Sequence, residues 1–212
     1  MQTIIWDWNG TLLNDVEFCV SAINSLLKKR NLALLTTETY KEVFTFPVQN
    51  YYKAIGFNFE KEEFAIPAKE FIHIYNKGVD ICTLHKLAGK TLLQFKEKNV
   101  RQFVLSAMEQ NMLERTLKQN SVFGFFEEVF GLNNHHAESK IERGKQLLLT
   151  HSIKKEETWM IGDTIHDYEV AKALEINCIL VAHGHQSEKR LKNTGAVVVP
   201  DLSMIKEVIG VS

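Results

Sequence analysis

Ile4-Ile5-Trp6-Asp7-Trp8-Asn9-Gly10-Thr11-Leu12 decides how this chain folds. The apolar residues 4–6 read as a buried strand, because a strand covered on both faces needs no polar alternation. The run stops at a carboxylate, Asp7. Asn9-Gly10-Thr11 then predicts a turn, since glycine takes backbone angles closed to other residues. In an open α/β sheet, ligands sit beyond the carboxyl ends of the strands. A carboxylate there, followed by a loop of free backbone N–H groups, suits an acidic nucleophile facing an anion.

The rest of the chain is read outward from that loop. Its 212 residues suit one domain, or one domain with an insert. With 45% apolar and 24% charged residues, a packed core is expected. A net charge of -1 and the lack of a Lys/Arg-rich tract give no footprint for nucleic acid. No signal-peptide pattern or run of about 18 apolar residues is present, so no membrane partner is expected. Cys19, Cys82 and Cys178 are isolated and odd in number, which argues against a disulfide framework and for a reducing, cytoplasmic setting.

Helical spacing of Val16, Val20, Ile23 and Leu27 predicts a helix to about residue 30, capped by Asn14 or Asp15. Thr36 or Thr37 opens a second helix, interrupted at Pro47. A short helix carries Tyr51, Tyr52 and Ile55, and a longer one carries Phe64, Ala68, Phe71 and Tyr75 to Gly78. No strand is expected between residues 15 and 78. Beyond this helical insert the pattern alternates. A helix is expected over Leu84, Leu87, Thr91 and Phe95, then a strand at 101–105 ending before Ser106. A helix over Met112, Leu113, Thr116 and Leu117 and a short strand at 128–130 follow. Ser139 caps the next helix, 159–161 is a strand, and Thr164 opens another helix. Strands at 178–181 and 197–199 close the chain, each with a helix after it. Strands alternating with helices imply a doubly wound parallel sheet.

Polar residues recur at the expected ends of these strands and helices: Asp7, Ser106, Lys140, and Gly162-Asp163-Thr164-Ile165-His166-Asp167. Singly, each reads as a turn, a cap or a solvated side chain. Together they converge on one rim of the sheet.

In these four motifs the sequence resembles the haloacid dehalogenase superfamily, in its phosphatase branch with a helical cap inserted after the first strand. The resemblance spans nearly the whole chain. It implies a Rossmann-like core at 1–14 and 85–212 and a helical cap at 15–84. It also implies that Asp7 attacks phosphorus and forms an aspartyl-phosphate. Mg²⁺, a hard cation, would take oxygens from Asp7, the Asn9 carbonyl, Asp163 and Asp167. Ser106 and the N–H groups of Ala107 and Gly10 would hold phosphoryl oxygens, with Thr11 in the same loop. Lys140 would add positive charge beside Asp7 and the phosphate. The expected substrate is a small phosphorylated metabolite, with phosphoglycolate-like molecules as the nearest family guess, and the expected state is a monomer or homodimer.

Residue 9 departs from the family pattern, which places an acid–base aspartate there. An amide cannot deliver a proton near neutral pH, and general acid–base help is worth roughly 10²–10⁴ in rate. Three readings stay open. The substrate has a good leaving group, such as an acyl phosphate. Another residue is the acid: His166, Lys53 or a cap tyrosine. Or the protein binds phosphorylated ligands without turnover. The phosphonate-cleaving branch of the family, which uses a cap lysine, makes Lys53 a further candidate; its plainer reading is a solvated helix lysine. A phospho-receiver is the rival from another class, but receivers lack an insert of this length. His135-His136 and His183-Gly184-His185 lack zinc-ligand spacing and have no cysteine nearby in sequence. His183 and His185 read as loop histidines after a strand, and Cys19 as a buried helix residue. Phe44, Phe46, Tyr51, Tyr52 and Phe57 read mostly as core.

Overall fold

A computed structural model describes residues 2–132 and 139–211. His135 and His136 lie outside the described residues. The first strand, β1 (Thr3–Trp6), is buried along its length. Ile4 and Trp6 pack into one apolar cluster and Ile5 into the other. The strand is therefore sandwiched, as its unbroken apolar run requires. Truncating one such residue to alanine costs about 2–5 kcal/mol.

After β1 the chain forms a two-residue strand, β2 (Leu13–Asn14), and then four helices: α1 (Val16–Lys29), α2 (Thr37–Val43), α3 (Val48–Ala54) and α4 (Ala65–Gly78). Among the described residues none between β2 and the next strand, β3 (Thr83–Leu84), is in a strand. β2 and β3 pair antiparallel, so the chain leaves and re-enters the sheet region side by side.

The remaining elements alternate. They are α5 (Ala88–Glu97), β4 (Arg101–Glu109), α6 (Gln110–Gln119), β5 (Glu128–Leu132), α7 (Lys140–Thr150), β6 (Thr158–Gly162), α8 (Ile165–Leu174), β7 (Asn177–Val181), α9 (Glu188–Lys192), β8 (Val197–Val199) and α10 (Ile205–Ile209). The six long-range strands form one parallel sheet in the order β5-β4-β1-β6-β7-β8. β1 is central, and successive strands are laid down first on one side of it and then on the other. That reversal opens a crevice at the carboxyl ends of β1 and its neighbours.

Two local expectations are corrected. Leu84 belongs to β3, and Leu87 precedes α5 with φ 80°, so neither is helical. The apolar spacing that joined them to Thr91 reports burial beside the sheet, not a shared helix. Ser106 lies inside β4, which runs on to Glu109 through a register shift against β5 between Leu105 and Glu109. Such an irregularity re-aims side chains without ending the strand.

Candidate active site

Asp7 stands one residue past β1, and its N–H still bonds to Ile161 O on β6 at 2.8 Å. The two tryptophans beside it are buried and anchored elsewhere. Trp6 Nε1 donates to Gln102 Oε1 at 3.1 Å and Trp8 Nε1 to Thr116 Oγ1 at 3.0 Å. Asp7 is thus held between two fixed side chains.

Lys140 is the first residue of α7. Ser139 accepts from Glu142 N while Glu142 accepts from Ser139 N, a capping box that sets where the helix begins. Lys140 Nζ reaches Asp7 Oδ1 at 2.5 Å and Asp167 Oδ1 at 2.7 Å, with the lysine 4% exposed. Asp167 lies in the first turn of α8. Its other oxygen accepts from Thr164 Oγ1 at 2.7 Å and from the N–H groups of Thr164 and Asp163. A helix N-terminus favours such an anion. Asp163 accepts from Thr11 Oγ1 at 2.9 Å and from His185 N–H at 2.6 Å. Thr11 also donates toward Asp7 Oδ2 at 3.2 Å.

Asp7, Asp163 and Asp167 are all buried and place ligand oxygens within 4.8 Å of one another. Burial pushes Asp7 up, to about 8, with Asp167 and Asp163 adding to the rise and Lys140 opposing it. Burial raises Asp163 to about 6. For Asp167 burial is outweighed by Lys140 and Thr164, which hold it below the usual carboxylate range. Burial works against the charge on Lys140, but Asp167 and Asp7 carry its pKa above the ordinary lysine value. Three carboxylates face one ammonium. The excess negative charge is what a bound cation relieves.

Glycines make this closeness feasible. Gly10 has φ +74°, and a Cβ there would meet Asp163 Oδ2 at 2.3 Å and His185 Cδ2 at 2.4 Å. A Cβ on Gly184 would meet Asp163 Oδ2 at 2.1 Å.

Of the other expected site residues, Ser106 is buried, and its hydroxyl accepts from Met108 N at 3.1 Å and donates toward Asn9 Oδ1 at 3.4 Å. Ala107 is exposed in the irregular stretch of β4. His166 packs against Phe46, ring centroids 4.8 Å apart, and pairs with Glu169 at 3.4 Å. Lys53 is exposed on α3, and among the described residues no hydrogen bond or ion pair joins it to this site.

Asp15 is the residue that sequence reasoning missed. It occupies the N-cap position of α1 but makes no capping bond. Its carboxylate, 1% exposed, accepts from Asn9 Nδ2 at 2.8 Å, Gly10 N at 2.9 Å, the Tyr75 hydroxyl at 2.6 Å and His185 Nε2 at 3.1 Å. Burial raises its pKa, but His185, Tyr75 and Asn9 outweigh this and hold it below the usual carboxylate range. His185 bridges on to Tyr40, whose hydroxyl is 2.9 Å from Nδ1. Burial disfavours the imidazolium, yet Asp15 raises its pKa to about 9. Cys19 joins this group, its Sγ 3.7 Å from Asp15 Oδ2. Asp15, Cys19 and His185 also bring three ligand atoms within 4.8 Å. Distance along the sequence concealed this: Cys19 and His185 are 166 positions apart in number and neighbours in space. A polar residue just before a helix offers only a capping signal, so no local pattern marks Asp15 as a hub.

No curated protein shows a significant sequence match to the chain. Among solved structures, a haloacid dehalogenase-like family hydrolase from Streptococcus pneumoniae superposes with a TM-score of 0.83 at 16% identity, covering 99% of this chain and 97% of that one. A structure described as a predicted phosphatase from Clostridium acetobutylicum gives 0.83 at 17% identity, over 98% and 97%. One described as a predicted phosphoglycolate phosphatase from Haemophilus somnus gives 0.78 at 17%, over 98% and 97%. At these identities the likeness is one of fold. The family model for haloacid dehalogenase-like hydrolases matches residues 4–181, most of the sequence and every residue of the acidic cluster. The chain belongs to the haloacid dehalogenase-like hydrolase family.

Proposed function

We propose that the protein is a Mg²⁺-dependent phosphatase that hydrolyses a small phosphorylated metabolite through an aspartyl-phosphate on Asp7. The observation that carries this reading is the contact of Lys140 with both Asp7 and Asp167 inside a cluster of three buried carboxylates at the ends of β1 and β6. All-oxygen donors suit a hard divalent cation. Asp7, Asp163, Asp167 and the main-chain carbonyl of Asn9 would hold it, and when bound it would offset the charge between the carboxylates and an arriving phosphate.

The chain's own residues then divide the work. Of the three carboxylates, Asp7 is the one whose oxygens accept no backbone N–H, only the Lys140 and Thr11 side chains, so a lone pair is available for phosphorus. Lys140 places a full positive charge at Asp7 and supports the charge of the phosphoryl group. Ser106, whose hydroxyl is now on Asn9, turns to a phosphoryl oxygen, joined by the N–H groups of Ala107 and Gly10. Residues 15–84, which carry the helices between β2 and β3, act as a cap, the core being 1–14 and 85–212. Tyr40, Phe44, Phe46 and Tyr75 come from that segment and reach His185, His166, Asn9 and Asp15. Closure there excludes water and favours a small substrate.

The test is inorganic phosphate release across a panel of sugar, carboxylic-acid (phosphoglycolate included) and acyl phosphates, with and without Mg²⁺. Release that needs Mg²⁺ and disappears in Asp7→Asn is expected. Turnover that persists in Asp7→Asn would overturn the assignment.

A further inference from the structure

Residue 9 occupies the place of an acid–base carboxylate, and the surroundings of its amide determine what it can do instead. Asn9 Nδ2 carries two hydrogens. One goes to Asp15 Oδ2 at 2.8 Å and the other to the Tyr75 oxygen at 2.6 Å. No donor remains for a substrate. The orientation is forced by chemistry, because a carboxylate only accepts and the amide end facing Asp15 must be the nitrogen. The carbonyl end therefore points the other way, toward Ser106. Asp15 is itself over-determined. It is held from the loop by Asn9 and Gly10, from α4 by Tyr75, and from the loop after β7 by His185. Asn9 cannot turn over without leaving a buried carboxylate against an amide oxygen, at a cost of lost hydrogen bonds on both.

We propose that Asp15 is a positioning residue: it fixes Asn9 so that its carbonyl oxygen, not its nitrogen, faces the phosphoryl site. There it accepts a hydrogen bond from the water that cleaves the aspartyl-phosphate and gives no proton to the leaving group. This rests on the phosphatase reading above. Donation of the amide N–H groups, one of them to an anion, draws electron density onto Oδ1 and strengthens it as an acceptor. In the second half-reaction the water oxygen bonds to phosphorus. The bond between phosphorus and the Asp7 oxygen breaks, and its electron pair returns to the carboxylate. One water proton stays on the attacking oxygen and the other passes to a phosphoryl oxygen, so the products are the Asp7 carboxylate and dihydrogen phosphate. Asn9 aligns the water and takes no proton. In the first half-reaction the leaving oxygen departs unprotonated by residue 9. The substrate class that fits is one whose leaving oxygen is a weak base, an acyl, enol or aryl phosphate rather than an alkyl phosphate.

Stopped-flow hydrolysis of a series of aryl phosphates in Mg²⁺, followed by phenolate release, tests this. The native protein should show a steep dependence of kcat/KM on leaving-group pKa. Asp15→Asn should slow the steady-state phase about tenfold or more, while the initial phenolate burst stays within about threefold. The paired exchange N9D/D15N, which returns the carboxylate to residue 9, should flatten the leaving-group dependence. Tyr75→Phe, which removes one partner of the amide and buries no charge, should act as Asp15→Asn does but more weakly, and it carries the test if Asp15→Asn does not fold. Equal slowing of burst and steady state, or a native slope as shallow as that of the paired exchange, overturns the proposal. No phenolate release by the native protein, with or without Mg²⁺, would instead remove the phosphatase reading beneath it and the proposal with it.

Discussion

Asp163 has almost no room to move. Gly184 lies so close that a Cβ would meet the Asp163 side chain at 2.1 and 2.4 Å, and Asp163 is fully buried and bonded to Thr11 and to the His185 N–H. Gly184→Ala must displace that carboxylate. Disturbing the groups that hold a metal ligand in place costs about 10–100-fold in metal affinity or activity. Mg²⁺ affinity by calorimetric titration should therefore fall at least about tenfold in Gly184→Ala, with the sheet intact by circular dichroism. Unchanged affinity would show that Asp163 does not ligate the ion. At this scale the gathering of Asp7, Ser106, Lys140, Asp163 and Asp167 at one rim was legible in the four motifs of the sequence. Asp15 was not, because what distinguishes a hub from a cap is which distant donors arrive at its oxygens.

The antiparallel pair β2–β3 is where the four-helix segment joins the sheet, and a histidine stack closes it. His85 follows β3, bonds through its N–H to Leu12 O at 2.8 Å, and stacks on His183 with ring centroids 3.8 Å apart. His85 Nε2 is buried without a partner among the described residues. Burial and His183 lower the pKa of His85 from 6.5 to about 3, while Asp15 and the Gly10 backbone oppose the shift and His185 adds to it. The sign follows from proton counting. Between pH 6.5 and about 3 the unfolded chain holds a proton on this residue that the folded chain refuses. Its contribution to stability is full above pH 6.5 and is lost as pH falls through that window. Urea midpoints measured at pH 7 and pH 5 should drop further for the native protein than for His85→Asn. An equal drop would place the acid sensitivity elsewhere. The same stretch shows where periodicity misleads: Leu84 and Leu87 share a helical spacing with Thr91 but serve a strand and a left-handed turn.

Across the whole molecule, the segment around α2 is tied to α9 and the loop before it by backbone acceptors. Arg190 Nη1 donates to Lys41 O at 2.9 Å and Phe44 O at 2.6 Å, Gln186 Nε2 donates to Phe44 O at 2.9 Å, and Lys41 Nζ donates to His183 O at 3.2 Å. Among the described residues no helix is long and apolar enough to cross a membrane. The cap we propose would open by breaking these hydrogen bonds to the core. Arg190→Ala should speed amide hydrogen exchange in residues 37–46 while β1 and β6 stay protected, because locally held segments open below the global unfolding energy. Exchange unchanged in 37–46 would mean that Arg190 does not hold this segment down.

The sequence by itself determined the parallel sheet, the helical insert and the set of residues at the strand ends. Those features are written in short-range patterns: apolar runs, helical spacing, caps and glycine turns act between residues a few positions apart. Only the tertiary structure decided that Asn9 is locked with its carbonyl toward Ser106, that Asp15 serves four donors and caps nothing, and that β4 runs past Ser106. The donors on Asp15 come from residues 9, 10, 75 and 185, and a buried polar group takes whichever partners the fold delivers. No local pattern specifies that delivery, because it depends on how elements far apart in the chain are packed together.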